Sequence, residues 1–425
     1  MYIRRDKSNL HFGQQTRRGS RSLLIIWLAT MAVVVAVIWR FNSVQSWVLA
    51  SIDGASTATL DAVSLAKLGE RAYLNGDLEE SIRYYSEAAR LAPNDIDIKY
   101  EYGRVLIYRS YAGRNYYDRA VKALEVAEDA VRIDENNPRA QTLLCIALLE
   151  NNRPEEAIGA GVRAIDLAPN YAEAYAYLAM SYYRAERPNQ AFEAANKAVE
   201  LNPNSVDARR ALALSLSFIG EYDAAIQQYE QAIQIHPRLD ALYFELARYY
   251  VVKQNYDAAI KAYDQVLAME SDNVKAYTRK CETYFTMRND QMAQEACEQA
   301  IELDPAYPEA WRQLGMVQYA RRNFEGAIES LTTCANLQEA AGVPLQDREI
   351  QCYYIRGLAH VLLANCDDGW EVLQEALAMN PAEQIKGAIN QGLQMCVEYS
   401  DEFNPSDIPT PAPTPTVPRE PIGVF

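Results

Sequence analysis

The sequence predicts an all-α fold, a solenoid of about nine helix-turn-helix repeats preceded by one transmembrane helix. Three observations predict it: an uncharged apolar run near the N-terminus, a 34-residue period in helix endings, and small and large apolar residues placed at helical spacing inside each period. Of the 425 residues, 49% are apolar and 23% charged, so most of the chain can bury a core. The net charge is −16, with +6 confined to residues 1–40 and −22 left on the rest. A body that acidic repels phosphate backbones and argues against nucleic acid as a partner.

The first element is a basic segment, residues 1–22, followed by a transmembrane anchor at 23–41. From Leu23 to Trp39 the chain has no charge over 17 residues, enough for roughly 25 Å of hydrocarbon. Arg4, Arg5, Lys7, Arg17, Arg18 and Arg21 all precede the run. Positive charge before a first span holds that side in the cytoplasm, so the expected localisation is the cell membrane, single-pass, with the repeats extracytoplasmic. The competing reading is a cleaved signal peptide ending near Val48-Leu49-Ala50. Residues 42–61, rich in Ser, Thr, Ala and Gly, read as a linker.

The repeats occupy 62–382. Helix endings of the form apolar, spacer, proline recur at Pro93, Pro169, Pro203, Pro237 and Pro305, with steps of 34 residues or multiples through the middle of the chain. The intervals from Pro93 to Glu135 and from Glu339 to Pro381 are 42 residues, which places insertions near 110–118 and 340–347. Small residues such as Ala191, Ala225, Ala259, Ala293 and Ala327 mark where paired helices come close. Tyr175, Leu178, Tyr182, Leu212, Tyr229, Leu246, Tyr263, Trp311 and Leu314 supply the bulk between turns. One pair alone leaves an apolar face bare, and stacking covers it. Residues 383–400, with Ile385, Ile389 and Leu393 at helical spacing, predict a capping helix. The Pro/Thr-rich stretch 401–425 predicts an extended, disordered tail.

The segment AYAYLAMSYYRAERPNQAFEAANKAVELNP, ending at Pro203, resembles the tetratricopeptide repeat family, and the resemblance extends over about 60–382. Lys280 in place of a leucine and Arg209 in place of an aromatic depart from its pattern. The resemblance implies a right-handed solenoid whose first helices line a concave groove. Carried onto this chain, the groove residues are Tyr100, Arg104, Tyr183, Arg184, Arg210, Phe218, Phe244, Arg248, Phe285, Arg312, Tyr319 and Tyr354. Arginines and aromatics are the anchors interfaces favour. They imply a protein or peptide partner, acidic or aromatic, and charge reversal at Arg210 and Arg248 is expected to abolish its capture while leaving helicity intact. The bland reading remains beside it: the aromatics pack between repeats and the arginines pair with nearby carboxylates. Thr142, Ile146, Ala176 and Met180 stand where some family members carry a Lys and Asn clamp for a chaperone's C-terminal carboxylate, which argues against that ligand.

Six of the seven cysteines lie between Cys281 and Cys396. In an oxidising compartment this permits disulfides, and in a reducing one the same cysteines are small core residues. Repeat geometry suggests the pairs Cys281–Cys297, Cys334–Cys352 and Cys366–Cys396, leaving Cys145 buried and inert. His11, His236 and His360 sit in no HExxH or Cys/His metal pattern, and phosphate-cradle and nucleophile-turn motifs are absent. No catalytic residue, metal or cofactor is expected, and the chain does not read as an enzyme. The functional expectation is a membrane-tethered scaffold of the bacterial envelope type that binds a partner polypeptide in its groove during envelope assembly or secretion. The alternatives are an extracytoplasmic chaperone for unfolded chains and a small-molecule or sugar-binding module.

Overall fold

The computed structural model describes residues 60–112, 117–399, 403 and 408. The described residues hold nineteen α-helices, one short 3-10 turn and no strand. In chain order they pair as α1 (Ala62–Leu74) with α2 (Leu78–Leu91), α3 (Ile96–Ser110) with α4 (Tyr117–Ile133), and α5 (Pro138–Glu150) with α6 (Pro154–Leu167). There follow α7 (Ala172–Arg184) with α8 (Pro188–Leu201), α9 (Val206–Phe218) with α10 (Tyr222–Ile235), and α11 (Asp240–Val252) with α12 (Tyr256–Met269). The last pairs are α13 (Val274–Thr286) with α14 (Asp290–Leu303), α15 (Pro308–Ala320) with α16 (Phe324–Ala340), and α17 (Gln351–Leu362) with α18 (Cys366–Ala378). A final helix, α19 (Glu383–Tyr399), packs on α17 and α18.

Local chemistry explains the period. Between the helices of a pair one residue turns left-handed: Asn152, Glu186, Gln254, Arg288 and Arg322 take φ between 57° and 63°. The left-handed conformation costs a non-glycine residue about 1–2 kcal/mol. The next residue recovers some of that by capping: the side chains of Asn255, Asn289 and Asn323 accept the backbone N–H of Ala258, Met292 and Gly326.

Packing follows the small-and-large pattern. Ala179, Ala213 and Ala247 are fully buried at one register of the first helix in each pair, and Tyr229 and Tyr263 face them from the second. At Gly315 a Cβ would lie 2.5 Å from the Leu331 side chain. Cys281 and Cys297 occupy this same small-and-large site in the α13/α14 pair, with Cα atoms 5.2 Å apart and the sulfurs joined. Cys334 is joined to Cys352 across the α16–α17 connection, and Cys366 to Cys396 between α18 and α19. Cys145 is free and buried, and burial raises its thiol pKa to about 12. The departures from the repeat pattern find partners: Lys280 pairs with Asp264 at 2.7 Å, and Arg209 donates to the Pro203 carbonyl and to Gln228.

Two expectations change. A cell-membrane location is overturned, because among the described residues no helix is long and apolar enough to cross a membrane. The longest helices, such as α4 and α19, have 17 residues and carry charge along their length. The apolar stretch Leu23–Trp39 lies outside the described residues, as do the basic segment and residues 42–59 of the linker. The tail is not wholly detached either: Phe403 stacks on Trp370 with ring centroids 4.8 Å apart, and Ile408 joins the same apolar cluster. An aromatic and an isoleucine among prolines have an uncovered apolar edge to occupy.

Candidate partner-binding groove

The first helices of the pairs carry all twelve groove residues, but superhelical winding divides them. In the first turn the chain curls until α3 meets α9, 99 residues on. The Tyr108 hydroxyl donates to Asp207, and Arg104 Nη1 lies 3.6 Å from the same carboxylate. Arg210 Nε donates to both Glu245 oxygens at 2.9 Å, and its Nη1 donates to the Tyr111 hydroxyl at 3.1 Å. Its guanidinium also stacks 4.4 Å from the Tyr111 ring centre.

Burial sets the electrostatics of this interior. Desolvation raises the phenol pKa of Tyr100, Tyr108, Tyr111 and Tyr177, which keeps them neutral. Desolvation works against the charge on Arg210, but Glu245, Tyr111 and Tyr108 together outweigh it and hold the guanidinium protonated. Tyr100 is only 2% exposed and Arg210 only 5%. Tyr100 and Arg210 are therefore closed to a ligand, contrary to the register-based expectation, because they face their own chain, whereas Arg104, paired with Glu101 and Asp207, keeps an edge on a cleft of about 430 Å³ that Arg139 also lines. For Arg104 and Arg210 the paired-arginine reading holds.

Further along, the inner face is open. Arg184, Phe218 and Arg248 are exposed, and Tyr183 meets Phe218 edge-on at 5.1 Å. Arg248 rests against the Tyr249 ring, with no carboxylate partner among the described residues. Beside it a groove of about 380 Å³ is lined by Phe244, Arg248, Lys275 and Arg279 together with the carboxylates of Glu245 and Glu282. Phe285, Tyr319 and Tyr354 are half-buried further on, Tyr319 against Phe324 at 5.5 Å, and Arg312 lies 3.9 Å from Glu349.

Lys275 joins the two regions. Its ammonium sits 4.3 Å from the Phe244 ring centre and donates to the Tyr111 carbonyl. Burial lowers its pKa to about 8, against the pull of Asp240. Reasoning from register missed Lys275, Arg279, Asp207, Glu245 and His236. The one available signal for a special contact was the tyrosine-rich run YRSYAGRNYY in the first insertion.

His236 provides a pH test of the interior. Its Nε2 bonds to the Tyr73 carbonyl at 3.0 Å, and burial lowers its pKa, with Arg104 working the same way and Asp207 opposing. The unfolded chain therefore takes up the proton first, so this stabilisation is complete above about pH 6.5 and is lost as pH falls through the folded-state value. Urea midpoints at pH 5 and pH 7 should differ more for the wild type than for His236→Gln. An equal pH dependence in both would show that His236 is not buried neutral.

Among the described residues no cluster of His, Cys, Asp or Glu is arranged to hold a metal. Models described as tetratricopeptide repeat match residues 220–279 and residues 108–172 and 284–333. This chain carries tetratricopeptide repeats. The model described as anaphase-promoting complex, cyclosome, subunit 3 matches residues 150–232. Tetratricopeptide repeats typically mediate protein–protein interaction and are generally non-enzymatic scaffolds. One similar solved structure is the crystal structure of the APC/C hetero-tetramer Cut9-Hcn1, at 14% identity and a TM-score of 0.49, covering 78% of this chain and 76% of that one. Another is the human IFIT1 dimer with PPP-AAAA, at 18% identity and a TM-score of 0.46, covering 72% and 70%. No curated protein matches.

Proposed function

We propose that this tetratricopeptide repeat chain is an interaction scaffold that takes an extended, acidic and aromatic segment of a partner polypeptide along the inner face from α11 to α17. The observation that carries this reading is the open groove at Phe244, Arg248 and Arg279. There Arg248 is exposed with no carboxylate partner among the described residues and Arg279 is exposed beside Glu282, while Arg210 of the first turn is buried and held by Glu245. Cationic side chains set in a chain of net charge −16 favour an acidic segment by local complementarity. Phe244, Phe285, Tyr319 and Tyr354 offer surfaces for apolar side chains.

The test is fluorescence anisotropy with a labelled random Glu/Tyr copolymer. Arg248→Glu combined with Arg279→Glu should weaken binding at least about tenfold, equivalent to roughly 1.4 kcal/mol, with helicity retained because both residues are exposed. Binding should also fall with added salt. Unchanged affinity in the double variant would remove the groove assignment. Equal binding of a Lys/Tyr copolymer would favour a chaperone that accepts unfolded chains without regard to charge.

A further inference from the structure

Gly76 and Gly220 occupy the same register of the repeat, the left-handed residue between the two helices of a pair, with φ of 82° and 86°. That conformation alone does not demand glycine, since Asn152, Glu186 and Gln254 adopt it at the equivalent turns. The difference lies in what surrounds them. A Cβ at Gly220 would meet nothing within 4 Å, whereas at Gly76 it would fall 2.5 Å from the Arg238 carbonyl oxygen and 2.9 Å from the Arg238 Cβ. The backbone of the first repeat thus lies flush against a loop more than 160 residues further on.

At this loop the seam is crossed by one edge-on ring contact, His236 against Tyr73 at 4.6 Å, and by a few hydrogen bonds. His236 Nε2 bonds to the Tyr73 carbonyl, Arg238 Nη1 donates to the Asn75 carbonyl at 3.2 Å, and Lys275 donates to the Tyr111 carbonyl. A polar cavity of about 360 Å³ opens beside them, bounded by Asp77, Glu79 and Arg109 on one side and Arg238, Asp240 and Glu270 on the other. Extended helix–helix packing is confined to helices one or two apart along the chain. The ring is therefore closed by side-chain hydrogen bonds, the Tyr73–His236 and Tyr111–Arg210 ring contacts, the Arg104–Asp207 ion pair and one tight backbone approach, without the extended helix–helix packing that holds repeat to repeat. Closing it seats Tyr108 on Asp207 and Tyr111 on Arg210, the second of which belongs by register to the groove.

We propose that this seam is an autoinhibitory clasp: closed, it fills the inner face of the first turn with the chain's own Tyr108 and Tyr111, and open, it presents Asp207, Arg210 and their neighbours to a tyrosine-bearing acidic segment of a protein partner. The internal occupants specify the chemistry of the external one, since the positions they fill bind a phenol hydroxyl and stack an aromatic ring on a guanidinium. The proposal rests on the groove reading given above and extends it to the first turn.

The experiment wedges the seam without altering the turn. Asparagine stands in this conformation at Asn152, so Gly76→Asn keeps the local backbone and drives a Cβ into Arg238, while Gly220→Asn carries the same strain into open space. Spin labels on bio-orthogonal residues at Arg83 and Lys261 report the distance across the seam. Gly76→Asn should lengthen and broaden it relative to both the wild type and Gly220→Asn. The same variant should bind the labelled Glu/Tyr copolymer about tenfold or more tighter, because apparent affinity rises as the competent fraction rises. His236→Gln with Arg238→Ala removes seam hydrogen bonds without inserting bulk and should move both readouts the same way, which keeps the test decisive if Gly76→Asn folds poorly. An unchanged distance, or a longer distance with unchanged or weaker binding, overturns the clasp alone. Failure of every variant and of the wild type to bind removes the groove reading and the clasp together.

Discussion

Replacing Arg210 with alanine is expected to destabilise the first superhelical turn by about 3–5 kcal/mol, read as a lower urea midpoint. Arg210 is 5% exposed, is held by both oxygens of Glu245, and donates to the Tyr111 hydroxyl, so its loss leaves a partly buried carboxylate without its cation and a partly buried phenol without its donor. Charge reversal there would add repulsion with Glu245, so Arg210→Glu cannot serve as a test of ligand binding that leaves the fold intact. Arg248→Ala, at the exposed end of the same inner face, should change stability by no more than about 0.5 kcal/mol. Arg210→Met combined with Glu245→Leu should recover much of the loss, because an apolar pair avoids the desolvation cost of two buried charges. A loss below about 1 kcal/mol for Arg210→Ala would mean that the first turn is hydrated in solution and that Arg210 is open to partners after all.

Reduction should act on the opposite end of the molecule. The three cysteine pairs close loops of 16, 18 and 30 residues, and all lie from α13 onward. Chain-entropy reasoning assigns each about 3 kcal/mol. In a solenoid each repeat is stabilised by itself and its neighbours, so removing cross-links from the C-terminal pairs lowers local stability there and barely reaches the first turn. Peptide mapping without reductant should recover Cys281 with Cys297, Cys334 with Cys352, and Cys366 with Cys396. Hydrogen exchange after reduction should then lose protection in α13–α19 while α1–α10 keep theirs. Uniform loss along the chain would instead indicate one cooperative unit, and no loss would show that the cross-links add nothing to the native packing.

Much of the fold was legible because its causes are local. A helix needs neighbours three and four residues away, and a repeat needs only the next repeat, so the 34-residue period from Ala172 to Pro308 reappears in the helix starts. Small residues at Ala191, Ala225, Ala259, Ala293 and Ala327 are fully buried for the same reason. Reading the groove from that register was less successful. Register assigned Arg210 and Arg248 to one inner face, where the first is buried against Tyr111 and Glu245 and the second is exposed. Lys275 and Arg279 were passed over because the two preceding repeats carry no cation at their positions: Asp207 and Ala241 precede Lys275, and Ala211 and Glu245 precede Arg279.

By itself the sequence determined that the chain forms paired helices, where each turn falls and which residues pack between them. Only the tertiary structure decided which part of the inner face is open. Each repeat rotates slightly against the last, and the two 42-residue intervals add their own displacement. Whether Gly76 meets Arg238, or Tyr111 meets Arg210, depends on the sum of those rotations. Such a sum is set by packing at every interface along the turn, so no local pattern of residues records it.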